Sequence, residues 1–363
     1  MDAAERTPRP FRFVPVRRAE AGALSPIESL SPAWDDTLRV LFRPFVGRRW
    51  IALSVVCLFL GGGTSTAAFQ WGFRALPIDL HTTDLLLHLR LVMAQHLSLI
   101  ALGVALSLGL VLGLIYARCV LRFVLIEAVI KQDLEVGAAW KGLKSFGRSY
   151  FLWLLGVVGT ILAMVSGVLF VSFRYLNFLE ETGQPWWVGS LILVTELVGI
   201  VFVGLLVALG ITLTDDLVAP LMYAGRISLP AAWGIVWRLS RREQSAFLTY
   251  LVLRFAVSMA ISVAVLFVLF PVLMGLSSGV LISAALLNYA LQMIGLAWAW
   301  NPVTVVFGAL FLCLFTALLF ALLSVIGMPG QVYLQNYGVR FIASRHPPLA
   351  AFCRAAAPLG RGR

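Results

Sequence analysis

Charge is what this sequence has least of. Of its 363 residues, 12% are Asp, Glu, Lys or Arg, about half the share usual in a soluble domain. Acid is scarcer than base: 17 Asp and Glu face 28 Lys and Arg, a net charge of +11. From Phe255 through Val339 there is no Asp, Glu, Lys, Arg or His, and between Ile78 and Gln184 there is no proline. Cysteine and histidine number four each. So few charges cannot cover a soluble surface when 60% of residues are hydrophobic and the mean hydropathy is +0.93. The same apolar excess excludes a disordered chain. Four cysteines make no disulfide scaffold, and 31 glycines are far below the one in three of a collagen-like fibre. What remains is an all-α, polytopic integral membrane protein.

Crossing a hydrocarbon core of ~30 Å takes about 20 apolar residues in a helix. Six stretches qualify: Trp50 to Phe73, Leu97 to Ala117, Tyr150 to Phe173, Trp187 to Leu213, Phe247 to Leu269 and Val303 to Gly327. The first is interrupted by Gly61, Gly62 and Gly63. A further apolar stretch, Val280 to Trp300, is dotted with Asn288, Gln292, Trp298 and Trp300 and reads as an interfacial or re-entrant helix. The proline-free run predicts one continuous helix from about Thr83 to Lys131.

Lys and Arg stay on the cytoplasmic side of short loops. They crowd the N-terminal segment and the second-to-third connection (Arg118, Arg122, Lys131, Lys141, Lys144, Arg148). The fourth-to-fifth connection (Arg226, Arg238, Arg241, Arg242) and the tail are equally basic. The alternate connections hold only Arg74, Arg90 and Arg174. Six spans place every basic segment on one side, which predicts a cell-membrane protein with both termini cytoplasmic. No cleavable signal peptide is expected, since the first apolar run begins only at Trp50. The expected organisation is a disordered, basic, Pro-rich segment over 1–30, a membrane domain over 31–344 and a basic tail over 345–363. Trp34 to Val46 is expected as a short amphipathic helix on the inner surface. The cysteines read as small buried hydrophobes.

Phe123 to Trp140 aligns without gaps on Asp216 to Trp233, both ending in A-A-W after a helix breaker, Gly137 or Pro230. Further on, R-S-Y-F-L-W-L-L from Arg148 aligns with Q-S-A-F-L-T-Y-L from Gln244. Each copy reads span, cytoplasmic elbow, span, so parallel repeats are expected over about 97–173 and 187–270. In the first elbow Trp140, Leu143 and Phe146 share one face while Lys141, Lys144 and Arg148 share another. In the second, Trp233, Val236 and Trp237 oppose Arg238, Arg241 and Arg242. An aromatic face beside a basic one describes a helix lying in the headgroup boundary, and it points to anionic inner-leaflet lipid or a partner protein. Plain anchoring of the loop is the simpler alternative.

The segment Ser31 to Phe45 (S-P-A-W-D-D-T-L-R-V-L-F-R-P-F), the elbow Val218 to Ser240 and L-V-L-R-F at Leu251 to Phe255 carry a resemblance. Over about Ser25 to Ser344 the chain resembles uncharacterised prokaryotic six-span families akin to the membrane domain of glycerophosphodiester phosphodiesterases. That resemblance implies a six-span fold and no chemistry, because those phosphodiesterases carry catalysis in a separate soluble barrel.

Glu196 and Arg254 fall ~12–14 Å deep in the fourth and fifth spans. Charges at that depth face partners or cavities. They read either as a Glu196–Arg254 pair locking two spans or as a polar point on a substrate path. His81, Asp84, His88 and His96 could share a helix side, but without a zinc motif they read as a wet polar stripe, and no metal or other cofactor is expected. Asp215 and Asp216 point ~100° apart on an α-helix and read as solvated flank residues. Gly109 with Gly113, and Gly103 with Ser107, allow close helix packing or a homodimer. The basic N-terminus, interleaved with Pro and Phe, is not arranged for nucleic acid. No catalytic residue set can be assembled. The expected function is a non-enzymatic scaffold or accessory subunit engaging lipid or a partner through its elbows. The alternative is a carrier for a lipid-like solute, lined by Glu196, Arg254, Asn288 and Gln292.

Overall fold

A computed structural model describes residues 24–43, 45–60, 82–131, 136–182, 185–293 and 302–356. Among these there is no strand. The helices are α1 (Leu30–Phe42), α2 (Gly47–Leu60), α3 (Thr82–Lys131), α4 (Val136–Glu181) and α5 (Trp186–Leu213). After a single π-helical turn over Thr214–Val218 come α6 (Ala219–Gly225), α7 (Leu229–Arg242), α8 (Gln244–Met293), α9 (Pro302–Ala343) and α10 (Pro347–Ala356).

Absence of breakers sets the lengths. The proline-free run yields α3, 50 residues and about 75 Å long, within one residue of its expected start. Five stretches are long and apolar enough to cross a bilayer: Ala101–Lys131, Val136–Leu179, Trp187–Gly225, Gln244–Gly279 and Cys313–Ala343. The chain is a membrane protein. Of the expected first span only α2 is described, 14 residues or about 21 Å; 61–81 lie outside the described residues.

Three expectations are corrected here. Val280 to Met293 is no separate interfacial helix but the continuation of α8, because nothing in it breaks the helix and α8 runs on through Pro271; 294–301 lie outside the described residues. The first elbow is no separate helix either, since no proline divides it from its span and α4 runs unbroken from Val136 through both. Only the second elbow is a distinct helix, α7. It ends at Glu243, whose backbone leaves helical geometry (φ −130°, ψ 55°) before α8 begins. Finally, the ordered fold starts before residue 31. Ser25 and Glu28 form a reciprocal cap, the Ser25 N–H donating to Glu28 Oε2 (2.9 Å) and the Glu28 N–H to Ser25 Oγ (3.1 Å).

The buried core sits at the basic end of the bundle. It is built from α1, α2, the last turns of α3, the start of α4, the π turn, α6, α7, the start of α8, the last third of α9 and Leu349 of α10. Elsewhere the spans show their apolar side chains outward, as Phe170, Leu205 and Phe267 do; that is the surface lipid covers. Helices α3 and α4 cross closely. A Cβ on Gly147 would fall 2.4 Å from Val120 Cγ2 and 3.0 Å from its Cα, so only glycine fits.

The two chain ends are tied to the same helix. Helix α1 does form as an amphipathic element, but it buries Ala33, Asp36, Thr37, Val40 and Leu41 against its neighbours. Asp36 pairs with Arg340 on α9 (2.5 Å), Asn336 Nδ2 donates to Thr37 Oγ1 (3.0 Å) and the Tyr337 hydroxyl donates to the Pro26 carbonyl (3.2 Å). The Trp50 indole N–H then donates to the Leu41 carbonyl (2.7 Å), fixing the corner between α1 and α2.

The tail is not a free basic extension as far as it is described. Helix α10 packs on α9, α6 and α3, and the neutral His346 Nδ1 accepts the Leu349 N–H (3.3 Å) at its start. Burial lowers the His346 pKa from its ordinary 6.5. A lowered pKa means the folded state prefers the neutral ring. The cap is therefore complete above pH ~6.5 and is lost as pH falls through the lowered value. Amide exchange at Leu349, corrected for intrinsic chemistry, should accelerate on acidification below that point. His346→Asn, which caps without titrating, should remove the pH dependence.

Candidate functional site

The most concentrated polar chemistry in the structure lies where sequence reasoning expected solvent. Pro220 begins it. A proline has no N–H and its ring crowds the carbonyl four residues earlier, here that of Asp216. The helix answers by widening: the Ala219 N–H reaches back five residues to the Thr214 carbonyl. Such π turns recur at functional positions in helices. This one carries Asp215 and Asp216 into the core, where the Asp216 side chain is 1% exposed.

Two arginines meet these carboxylates. Arg122 on α3 places a terminal nitrogen 3.2 Å from Asp216 Oδ1 and its Nε 3.5 Å from Asp215 Oδ1. Arg254 on α8 places Nε 2.7 Å from Asp216 Oδ2. The Tyr150 hydroxyl on α4 donates to Asp215 Oδ1 (2.6 Å), and that of Tyr250 on α8 to Asp216 Oδ2 (3.3 Å). Two positive and two negative groups close the network at neutrality, and both oxygens of Asp216 are occupied. Charges taken from water need partners of this quality to be tolerated.

Helix α9 seals the network without adding a charge. Gly338 lies against the π turn so closely that a Cβ there would be 2.7 Å from the Asp216 carbonyl oxygen. The Tyr250 ring stacks on Tyr337 (centroids 5.0 Å apart) and on Phe341 (4.3 Å). Arg345 lies over the other aromatic neighbour, 4.0 Å from the Phe341 centroid, and holds Glu243 at 2.8 Å. Gln335, one turn before Gly338, is buried with neither amide atom hydrogen-bonded among the described residues.

The expected Glu196–Arg254 pair does not form. Arg254 is committed to Asp216, and Glu196 instead accepts from the Ser172 hydroxyl on α4. Asp215 and Asp216 are not solvated flanks, because the π turn and Pro220 remove the ideal-helix geometry on which that reading rested. Tyr150 and Tyr250 carried no charge to attract notice. One signal did exist: Pro220 follows Asp216 by four residues, where its ring disturbs an ideal helix. His81 lies outside the described residues, as do the side chains of Asp84, His88, His96 and Asn288. Gln292 is exposed on α8.

The elbow residues sit apart from this network, on the outer surface of the same end. Lys141, Lys144 and Arg148 are exposed or nearly so while Leu143 is buried, and Trp140 is half-buried. On α7, Val236 is buried and Trp233 half-buried, its indole N–H without a partner among the described residues. Trp237, expected with them on a face dipping into the headgroup boundary, is 56% exposed, with Arg241 over its ring at 5.0 Å. Arg238 and Arg242 are also exposed.

All of these features fall inside one matched unit of sequence. The chain belongs to DUF7544, a family of unknown function, whose model matches residues 24–352. The match begins at Leu24, where the described fold begins, and ends within α10. No curated protein and no solved structure matches the chain. Nothing in these comparisons links the DUF7544 chain to glycerophosphodiester phosphodiesterases.

Proposed function

We propose that this chain is a non-enzymatic protein of the cytoplasmic membrane that holds anionic lipid at its basic end, acting as a scaffold or accessory subunit. Its architecture in this reading is six spans built on a duplicated span–elbow–span unit, with both termini in the cytosol. One observation carries the lipid reading. Lys141, Lys144, Arg148, Arg238, Arg241 and Arg242 project outward, and none has a carboxylate within ion-pair distance among the described residues. The cations that serve the fold, Arg122, Arg254, Arg340 and Arg345, all have one. The exposed set, with Trp237 beside it, is arranged to meet an acidic surface at headgroup level. The carrier alternative loses its lining, since Arg254 and Glu196 are engaged in different places.

Each basic group near an anionic leaflet contributes about 1 kcal/mol, so four contribute about 4 kcal/mol, roughly a thousandfold in affinity. The test is the phosphatidylglycerol retained by the full chain after gentle detergent extraction, counted by native mass spectrometry. The variant Lys141→Gln, Lys144→Gln, Arg238→Gln, Arg241→Gln is expected to lose most of it while folding normally. Retention equal to that of the unaltered chain would refute the reading.

A further inference from the structure

A cavity of about 290 Å³ opens at the basic end between α1, the last turn of α3, the end of α9 and α10. It lies away from the elbows and does not depend on how they are read. Its floor is apolar, formed by Val129 and Ile130 of α3, Val339 of α9 and Ala350 of α10. Its polar edge is made by Asp36, Arg340 and Arg354, with Asn336 and Ser344, whose side chains donate to Thr37 Oγ1 and the Phe341 carbonyl. Arg340 uses Nε on Asp36 and Arg354 uses Nε on the Ala350 carbonyl (3.4 Å). The terminal nitrogens of both guanidiniums have no partner among the described residues. Two guanidiniums and one carboxylate leave the edge with an excess of one positive charge.

The combination is specific in kind. An apolar floor by itself would suit any small hydrophobe, and two arginines by themselves any anion. Together they select a molecule with an acid head and a short alkyl body, since planar guanidinium forks match carboxylate and phosphate oxygens. The volume is at the small end for a ligand pocket. It holds about ten water-sized groups, so a whole phospholipid does not fit. We propose that this cavity binds a small anionic amphiphile, its acid group on the terminal nitrogens of Arg340 and Arg354 and its chain against Val129, Ile130, Val339 and Ala350.

Cys353 also lines the cavity and supplies the readout. Burial, the dominant cause, pushes its thiol up to about 11, so alkylation is slow and depends on access. The full chain in amphipol would be alkylated with a maleimide, Cys353 being followed by peptide mapping to separate it from Cys57, Cys119 and Cys313. The probes are octanoate, acetate (head only) and octanol (chain only). At ten times its Kd, octanoate leaves about one site in ten free, so Cys353 should react about tenfold more slowly. Acetate and octanol at the same concentration should not protect. Ala350→Phe, which fills the cavity, should abolish protection. Arg354→Gln, an exposed position where the fold is not at risk, should weaken protection about tenfold relative to that variant's own unprotected rate. Protection by acetate equal to octanoate would show a plain anion site, and equal protection by octanol a plain hydrophobe site; either overturns the proposal. So would protection by octanoate that survives Arg354→Gln undiminished, or no protection at all.

Discussion

Asp216→Ala should destabilise the protein by about 3–5 kcal/mol, the cost of leaving a buried ion pair without one partner. Asp216 is met by Arg122 and Arg254 together, with the Tyr250 hydroxyl on the same oxygen as Arg254. Removing the carboxylate strands Arg254 entirely and leaves Arg122 with only the longer contact to Asp215. The effect should appear as a lowered thermal midpoint of the detergent-solubilised chain and early loss of its monodisperse peak. The companion experiment separates charge from space. Asp216→Leu combined with Arg254→Met replaces the pair by apolar groups of similar size, and the double variant should regain most of what either single change loses. If Asp216→Ala costs under about 1 kcal/mol, within the range of exposed pairs, water reaches the network and it does not organise the core.

Gly338→Ala should destabilise the protein although it adds a single methyl group. The new Cβ would meet the Asp216 carbonyl oxygen at 2.7 Å, Asp216 Cβ at 3.0 Å and the Tyr250 hydroxyl at 3.2 Å. The nearest of these is backbone held by a π turn and cannot rotate away. Overpacking of this kind typically costs 1–3 kcal/mol, and Gly338→Leu should prevent α9 from closing on the turn at all. Gly327, on the same helix with nothing within 4 Å, is the control. There alanine should be neutral or stabilise by up to about 1 kcal/mol, through the helix propensity glycine lacks. Paired thermal denaturation of the two variants gives the comparison. Equal behaviour would mean that α9 does not approach the turn as described.

What could be read from the sequence was what depends on local rules. The start of α3, the amphipathic α1 and the apolar spans follow from the lack of proline and from runs of apolar residues. The inward turn of Leu143 and Val236 follows from helical periodicity. What could not be read depended on departures from those rules or on distant partners. Asp215 and Asp216 looked solvated because an ideal helix would splay them, and a proline four residues on from Asp216 changed the helix. Arg254 was expected to meet Glu196 and instead meets Asp216, since position along a helix says nothing of which neighbour is adjacent. Asn288 and Gln292 suggested an interfacial segment, yet a polar amide does not break a helix, and α8 simply continues to Met293. Trp140 and Trp233 were expected to dip into the headgroup boundary, yet both are half-buried against neighbouring helices, because periodicity tells which face is apolar and not what covers it.

The attachment of α1 to α9 has a consequence for biosynthesis. Thr37 and Asn336, and Asp36 and Arg340, are about 300 residues apart in the chain. At 5–20 residues per second a ribosome needs about 15–60 s to travel that distance. For that time α1 is complete while its docking surface has yet to be synthesised. Its hydrophobic side must wait against the bilayer or a chaperone until α9 emerges and releases it.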